Sequence, residues 1–252
     1  MITTNSPLCV SLRRRKAGGG GSEPPDQTNL QLFWKLGEAA GASRADSIGS
    51  NTLSDNNTVA QVTGKIGNAA GFSATSSQYL SIADNTDVRI NGHEAATIFG
   101  WFRLTTLPSD DGLNKWIVAK WRAGSGSGHR NYAIGVQSSN DKAIFQVRNA
   151  ADSSTVSVEA STFGALSTGT WYYFRIWHDP VADEIGIEIN ADGNKETTAF
   201  SDGVTASAQD FYLGRLTTLY WNGDIDAVGK YDEVISDANN ALIYNSGSGW
   251  EP

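Results

Sequence analysis

Short apolar or alternating runs recur along most of this chain, and pairs of residues that favour tight turns separate them. A run of this kind predicts a β-strand, because side chains alternate between the two faces of a strand. The runs are Gln31–Leu36, Tyr79–Ile82, Ala96–Leu104, Trp116–Trp121, Tyr132–Val136, Ala143–Arg148, Thr155–Glu159, Trp171–His178, Glu184–Asn190, Asp210–Leu216 and Asp224–Lys230. Turn pairs such as Asn91-Gly92 and Asp192-Gly193 tolerate the positive φ of tight hairpins. Only Asp237–Tyr244 has a helical pattern, so the sequence predicts an all-β sandwich or barrel.

The first 29 residues differ from the remainder in composition. They hold four basic and two acidic side chains, a net charge of +2, whereas residues 30–252 carry −10. The run Gly18–Gly21 has no side chains to fix its backbone, and Pro24-Pro25 stiffens the exit. We therefore predict a flexible basic arm over residues 1–29 and a single domain over residues 30–252. We expect the cations of the arm to anchor it to a partner, although a disordered tail is the alternative; they are Arg13, Arg14, Arg15 and Lys16.

Several classes of protein are excluded by composition. The single cysteine, Cys9, excludes an intramolecular disulfide framework and a cysteine-based zinc site. No apolar run approaches the ~18 residues of a transmembrane helix, so we expect no membrane insertion. A domain this acidic is a poor general nucleic-acid binder. The N-terminus does not have the order of a secretory signal, because its short apolar stretch precedes the basic cluster.

The segment Gly64–Phe72 reads GKIGNAAGF. It is similar to the "GKxGxAxxF" element of laminin-G-like jelly-roll domains, which belong to the concanavalin A-like lectin/glucanase superfamily, and further segments resemble those of the same family in the same order. The other matching segments are Leu32–Leu36 with Asp46–Gly49, Gln78–Ile82, Thr97–Phe102, Trp171–Phe174, Tyr212–Gly214, Trp221–Asp226 and Leu242–Gly247. The resemblance implies a jelly-roll sandwich of two antiparallel sheets, but no particular function, because this fold serves lectins, adhesion modules, enzymes and virion proteins.

Strand alternation predicts which residues face outwards on three strands. In Ile98–Leu104 the apolar set contains Ile98 and Phe102, which places Phe99, Trp101 and Arg103 on the other face. The same argument applied to Trp171–His178 and Glu184–Asn190 predicts one open face if these strands are neighbours. Aromatic rings beside arginines and a carboxylate suit a sugar ring and its hydroxyls, although a face covered by loops or another subunit is the alternative. The predicted ligand-binding residues are Trp101, Arg103, Tyr173, Arg175, Trp177 and Glu188. We expect the core between the sheets to contain Ile98, Phe102, Phe174, Ile176, Ile187 and Leu213.

Two further sites are considered. The Gly/Ser-rich segment 121–131 has aromatic and basic ends and is a second candidate for ligand binding, although a long hairpin loop without a role is equally compatible. The family resemblance also implies one structural Ca²⁺ at Asp46 and Asp226. Backbone carbonyls and waters would have to complete its six to eight oxygen ligands. Alternatively, Asp46 forms an Asx turn and Asp226 accepts backbone N–H groups.

The sequence gives little support for catalysis. Glycanases need two carboxyl groups that flank the scissile bond. The nearest strings, Asp224–Asp226 and Asp183–Glu188, lack the Glu-x-Asp-x-Glu-like spacing. The histidines have no metal spacing and no serine partner, and Gly18–Gly21 lacks the Lys-Ser/Thr of a phosphate-binding loop. We therefore do not expect an enzyme, and a glycan-active enzyme is the least favoured reading.

A fold common outside cells, no export signal and a basic arm together favour a structural and binding protein of a virion. Such a capsid decoration or fibre protein would contact a capsid or tail protein through its arm, and surface glycans through its jelly roll. The alternative is a secreted, extracellular carbohydrate-binding or adhesion module. The sequence leaves a homo-oligomer open.

Overall fold

A computed structural model describes residues 23–122 and 128–252 of the chain. The strands are β1 Leu30–Trp34, β2 Ser54–Asn56, β3 Ala60–Thr63, β4 Asn68–Phe72, β5 Tyr79–Ile82, β6 Ala96–Leu104, β7 Lys115–Trp121, β8 Arg130–Val136, β9 Ala143–Arg148, β10 Thr155–Glu159, β11 Trp171–Asp179, β12 Glu184–Ile189, β13 Glu196–Ala199, β14 Phe211–Leu213, β15 Arg215–Leu216, β16 Leu219–Tyr220 and β17 Gly223–Tyr231. Within these ranges the only α-helix is α1, Asp237–Tyr244, and four single 3-10 turns lie at Ala74–Ser76, Thr86–Val88, Pro108–Asp110 and Asn245–Gly247.

Two antiparallel sheets make up most of the molecule. One has eight strands in the order β13-β12-β11-β6-β17-β4-β3, with β1 paired to β17 as well. The other has seven strands in the order β10-β9-β8-β7-β14-β5-β2. The predicted all-β jelly-roll sandwich is confirmed, and the predicted helix has the same bounds as α1.

The core lies between the two sheets, as the alternation of side chains predicts. All six residues expected there are at most 2% exposed, and they come from strands of both sheets. Phe102 and Phe174 of the eight-stranded sheet belong to the same apolar cluster as Leu213 and Phe145 of the seven-stranded sheet. Residues next to them in sequence, such as Trp101 and Tyr212, therefore point away from this core.

A hairpin of β15 and β16 folds over the outer face of the seven-stranded sheet. Gly214 joins β14 to β15 with a φ of +79°, and a Cβ at this position would come within 2.7 Å of the Phe72 ring. Both conditions favour glycine. The turn lets the chain leave the sheet, so that Leu216 packs in a small outer cluster with Trp116 and Trp121.

The last residues of the predicted arm lie against the domain. Pro25 is buried, and the Asp26 backbone N–H donates to Asn239 Oδ1 at 2.8 Å. The Tyr231 hydroxyl donates to the Asp26 carbonyl at 2.7 Å. Regular structure then begins at Leu30. In the described parts of the chain, no helix has the length and apolar character needed to cross a membrane.

Candidate binding site

The predicted ligand-binding residues do share one face of the eight-stranded sheet. Trp101 lies opposite Tyr173 in the pairing of β6 with β11, and Arg175 lies opposite Glu188 in the pairing of β11 with β12. The phase of each strand agrees with the alternation, and the pairing of β6 with β11 and of β11 with β12 meets the condition that these strands are neighbours.

The expectation that this face is open is wrong. Trp101, Tyr173, Arg175, Trp177 and Glu188 are all at most 5% exposed. Helix α1 and the C-terminal residues lie over them: the Trp101 ring stacks on Tyr244 at 5.5 Å, and Trp250 packs edge-on against Phe33 at 5.8 Å. We call this outer side of the eight-stranded sheet the covered face. Its indole rings offer no free surface for a sugar to stack on.

Polar groups of the covered face bond to the segment that covers it. The Tyr173 hydroxyl donates to Asn240 Oδ1 at 2.8 Å, and Asn240 Nδ2 donates to Glu188 Oε2 at 3.0 Å. Arg175 Nη2 lies 2.8 Å from Glu188 and 3.0 Å from Asp237, the first residue of α1. Tyr173, Arg175 and Glu188 therefore each have a polar partner inside the molecule, although Arg175 Nε has none among the described residues.

Only the margins of the covered face reach solvent. Arg103 is half-buried, pairs with Asp224 at 2.6 Å and lies 5.0 Å from the centre of the Trp171 ring. Arg175 and Trp177 also contribute to a pocket of about 200 Å³. Its charged lining includes Lys195 and Asp237, which pair with each other at 2.7 Å.

The first predicted calcium ligand, Asp46, has its oxygens engaged by N–H groups. Asp46 Oδ1 accepts the backbone N–H groups of Phe33 and Ile48, and Oδ2 accepts the backbone and side-chain N–H groups of Asn51, all within 3.1 Å. Partial burial acts to raise the pKa of Asp46, but these donors hold it below its usual value. The bond to Ile48 is the Asx turn considered above. Donor hydrogens occupy the positions that a cation would need, so this environment disfavours Ca²⁺ at Asp46.

The second, Asp226, is fully buried on the covered face. Its Oδ2 accepts the backbone N–H groups of Lys65 and Ile66 at 2.7 and 2.9 Å, while Oδ1 has no hydrogen-bond partner among the described residues. Burial raises the pKa of Asp226 to about 7, against the lowering effect of Ile66 and Lys65. The described residues contain no group of three or more His, Cys, Asp or Glu side chains suited to a metal ion. A calcium site therefore stays a prediction, which a fall in melting temperature on chelation would support.

The remaining predicted elements lie only partly within the structure. The arm cations Arg13–Lys16 are outside the described residues, as are residues 123–127 of the second candidate segment. The ends of that segment are described. Trp121 closes β7, Arg122 is exposed, and the Arg130 guanidinium lies 5.7 Å from the centre of the Trp121 ring.

Trp121 and Arg122 form one wall of a cleft of about 450 Å³, which we call the Arg215 cleft. It lies on the outer side of the seven-stranded sheet. Among the described residues its lining is Trp121, Arg122, Ala208, Gln209, Asp210, Tyr212, Arg215 and Thr217. Arg122 and Asp210 are exposed and Tyr212 and Arg215 are half-buried, so both aromatic and charged groups reach the cleft.

Arg215 is held above three tyrosine rings. Its guanidinium carbon lies 4.4 Å from the ring centre of Tyr79, 5.1 Å from that of Tyr212 and 5.8 Å from that of Tyr220. Its Nε donates to the Thr217 carbonyl at 2.7 Å. Cation–π attraction and this hydrogen bond fix the plane of the guanidinium before any ligand arrives.

A buried lysine supports the floor of the cleft from inside the sandwich. Lys120 is fully buried; its Nζ lies 2.5 Å from Asp84 Oδ1 and donates also to the Gln209 carbonyl. Burial lowers the pKa of Lys120, although Asp84 acts to raise it. Gln209 belongs to the segment that precedes β14. Asn131 Nδ2 donates to the Thr205 carbonyl and so fixes this segment at a second, earlier position. The segment before β14 is thus tied to the core at two points.

The sequence reading missed Tyr79, Tyr212, Arg215 and Tyr220. One signal was available, because Leu213 was placed in the core and Tyr212 must then face outwards. The other requirement, that β14 lies between β7 and β5, joins strands far apart in sequence and cannot be read from alternation.

Solved structures of low sequence identity share this fold. The binding domain of Paraclostridial Mosquitocidal Protein 1 is 13% identical with a TM-score of 0.68, over 88% of this chain and 53% of that one. Domain 4 of AbnA, a GH43 extracellular arabinanase from Geobacillus stearothermophilus in complex with arabinotriose, is 17% identical with a TM-score of 0.59, over 88% of this chain and 98% of that one. The binding domain of botulinum neurotoxin DC in complex with rat synaptotagmin II is 14% identical with a TM-score of 0.58, over 87% and 52% of the two chains. The chain thus spans about half the length of these toxin binding domains.

The sequence itself places the chain in a family. No curated protein matches it. A family model, Laminin_G_3, described as the concanavalin A-like lectin/glucanases superfamily, matches residues 74–239, which include both β6 and β14. The match covers well over half of the chain and agrees with the sandwich described above. The protein therefore belongs to the concanavalin A-like lectin/glucanases superfamily.

Proposed function

We propose that this protein is a non-catalytic binding module that holds a carbohydrate in the Arg215 cleft. The observation that carries the proposal is the composition of this cleft, in which the half-buried Tyr212 and the buried Trp121 lie beside hydrogen-bonding groups that reach solvent. Its volume of about 450 Å³ falls within the ~300–1,000 Å³ typical of small-molecule sites. Sugars present both an apolar ring face and several hydroxyls, and the cleft offers partners for each.

The chemistry of the lining supports a sugar over an apolar ligand. Gln209 both donates and accepts hydrogen bonds, Asp210 accepts them and Arg122 donates them. Tyr212 supplies an aromatic surface. Of the proteins with this fold, domain 4 of the arabinanase is in complex with arabinotriose. The binding domain of botulinum neurotoxin DC is also in complex with SialylT.

A role in binding without hydrolysis rests on the carboxyl groups. Glycoside hydrolysis generally needs two carboxyl groups on either side of the scissile bond. The described lining of the cleft contains one, Asp210. On the opposite sheet Asp224 is neutralised by Arg103, and Asp226 is buried without access to solvent.

A glycan array probed with the full chain tests the proposal, followed by calorimetry of the strongest binder. Tyr212→Ala should weaken binding about 2- to 10-fold, because a stacked ring contributes about 0.5–1.5 kcal/mol. The matched control is Trp171→Ala, which removes a half-buried ring beside an arginine on the margin of the covered face and should leave affinity unchanged. An array without any signal, or a loss of binding confined to Trp171→Ala, would overturn the proposal.

We propose further that residues 1–29 mount this module on the surface of a virus particle through a capsid or tail protein. Four consecutive cations in a chain whose residues 30–252 carry −10 support a contact made by the arm rather than by the domain. Pro25 and Asp26 pack on the domain, so the test removes residues 1–22 only. The truncated chain should keep its circular dichroism spectrum and lose co-sedimentation with the particle.

Substitution of Arg13–Lys16 by serine should weaken that co-sedimentation in a salt-dependent way. Equal recovery of the truncated and full chains on the particle would leave the secreted, extracellular module as the remaining reading.

A further inference from the structure

Most of the described arginines fall into two groups. In the first group each guanidinium lies within 4.0 Å of a carboxylate; its members are Arg44, Arg89, Arg103, Arg148 and Arg175. The second group is Arg122 and Arg215, which line the Arg215 cleft. All 27 Asp and Glu side chains belong to the described residues, and none of them lies within 4.0 Å of the nitrogens of Arg122 or Arg215.

Arginines without a carboxylate partner are unexpected in a chain whose overall charge is negative. The chain carries a formal net charge of −8, so acidic groups are abundant enough to neutralise each arginine. The lining of the cleft nevertheless contains two arginines and one aspartate. Two positive charges that face a cleft without neutralising partners form a local anion-attracting region on an acidic protein.

The orientation of Arg215 leaves the two terminal nitrogens of its guanidinium available to a ligand. Its Nε is used by the Thr217 carbonyl, and its π-face lies against the tyrosine rings. Its two terminal nitrogens form no hydrogen bond within the described parts of the chain. Parallel N–H groups of this kind match the two oxygens of a carboxylate in a bidentate pair.

Asp210 sets a limit on what the cleft accepts. Its carboxylate stands on the same wall, 3.5 Å from the Tyr212 hydroxyl, and acts to raise the pKa of Tyr212, after burial as the larger cause. A ligand with dense negative charge would be repelled by Asp210 and by the acidic domain. A ligand with one carboxylate and several hydroxyls fits better. Its carboxylate can pair with Arg215, and its hydroxyls can form hydrogen bonds with Asp210 and Gln209.

We propose that the Arg215 cleft selects sugars that carry a carboxylate, such as uronic or sialic acid residues, with the sugar carboxylate paired to the terminal nitrogens of Arg215. This inference rests on the proposed function, since it names the class of carbohydrate held at the same site. Uronic and sialic acids both carry the carboxylate that Arg215 would recognise. The test distinguishes them by using one ligand of each kind.

The test is calorimetry of the full chain with trigalacturonate, its methyl ester and 3′-sialyllactose, with lactose as the neutral reference. Esterification removes the negative charge and keeps the sugar, so it should weaken binding about 10- to 100-fold, the range of a charge-assisted hydrogen bond. Arg215→Lys keeps the charge and loses the planar fork, and should weaken binding of the free acid by a similar factor. The matched control, Arg103→Lys on the opposite sheet, should leave it unchanged.

The outcomes separate this inference from the proposed function. Equal affinity for trigalacturonate and its ester, with lactose or another neutral glycan bound as well, overturns the selectivity and leaves the binding module intact. Binding of neither acidic nor neutral sugars overturns both. A preference for trigalacturonate or for sialyllactose identifies the source of the carboxylate. If Arg215→Lys fails to fold, the ester comparison on the unaltered chain decides alone, and Arg122→Gln supplies the second variant.

Discussion

The two outer faces of this sandwich carry the same kinds of side chain, but on one face these side chains are buried and paired and on the other they reach solvent. On the covered face Arg175 lies 4.9 Å from the Trp177 ring, in a cation–π contact, and is paired to Glu188 and Asp237. In the Arg215 cleft Arg215 lies 4.4 Å from the Tyr79 ring and has no carboxylate partner among the described residues. An aromatic–arginine cluster therefore identifies a face that can be either packed or exposed, and the covering element decides which.

The covering element on the first face is short but well matched. Ser236 caps α1 by accepting the Asn239 backbone N–H, and Asn240 bonds to both Tyr173 and Glu188. On the other face the β15–β16 hairpin covers Trp116 but leaves Tyr212 half-buried. Coverage by one helix thus converts a potential ligand surface into a second apolar cluster.

The largest expected effect is a difference in the free energy of unfolding between variants of Arg175 and of Arg215. Arg175→Ala leaves Glu188 buried without its charge partner and should lower the free energy of unfolding by about 3–5 kcal/mol. Arg215→Ala removes a half-exposed group and should cost about 1 kcal/mol or less. Urea denaturation of the two variants measures the contrast. Similar losses for both would mean that the faces do not differ in burial as described.

Acidity should affect the covered face through Asp226. Its pKa is raised by burial to about 7, from 3.8 in the unfolded chain. Between about pH 4 and pH 7 the folded state therefore keeps a proton that the unfolded state has lost, and stability should fall as the pH rises, by up to about 4 kcal/mol in all. Asp226→Asn should flatten this part of the stability profile. A profile with the same slope in the variant would show that another group is responsible.

A smaller loss of stability is expected for a substitution of Lys120, which lies beneath the Arg215 cleft. Lys120→Met removes the donor that joins Asp84 and the Gln209 carbonyl, and an unpaired buried acceptor costs about 1–3 kcal/mol. Asp84 keeps its contact with Arg89, which limits the effect. Because the segment that carries Gln209 and Asp210 loses its support, glycan affinity should fall together with stability. Unchanged affinity in a folded variant would show that the floor of the cleft does not depend on Lys120.

The smallest effect concerns the rings that hold Arg215. Tyr79→Leu keeps much of the apolar volume and removes one cation–π partner, which contributes about 0.5–1 kcal/mol. Thermal unfolding should register a slight loss. A larger drop would indicate that Tyr79 belongs to the packed core, as the rings of the covered face do.

Much of the fold could be predicted from the sequence because alternation is a local property. The bounds of β6, β9, β10 and α1 and the burial of Phe102 and Leu213 all followed from it. The short strands β2, β3 and β13 were missed, since their sequences SDN, AQVT and ETTA are mostly polar and show little apolar alternation. Most of the predicted site residues proved to be buried rather than open to solvent, for a physical reason. Alternation tells which residues leave the core, but coverage by α1 depends on contacts such as that between Tyr173 and Asn240, 67 residues apart.

Hydroxyl-radical footprinting of the full chain tests most directly whether one face is open and the other closed. Tyr212 and Tyr173 carry the same phenol ring, so their oxidation rates compare exposure without a difference in intrinsic chemistry. Tyr212 is half-buried in the Arg215 cleft, whereas Tyr173 is fully buried beneath α1. We predict rapid oxidation of Tyr212, with protection when a bound glycan fills the cleft, and negligible oxidation of Tyr173. Oxidation of Tyr173 as fast as that of Tyr212 in the folded protein would contradict this prediction.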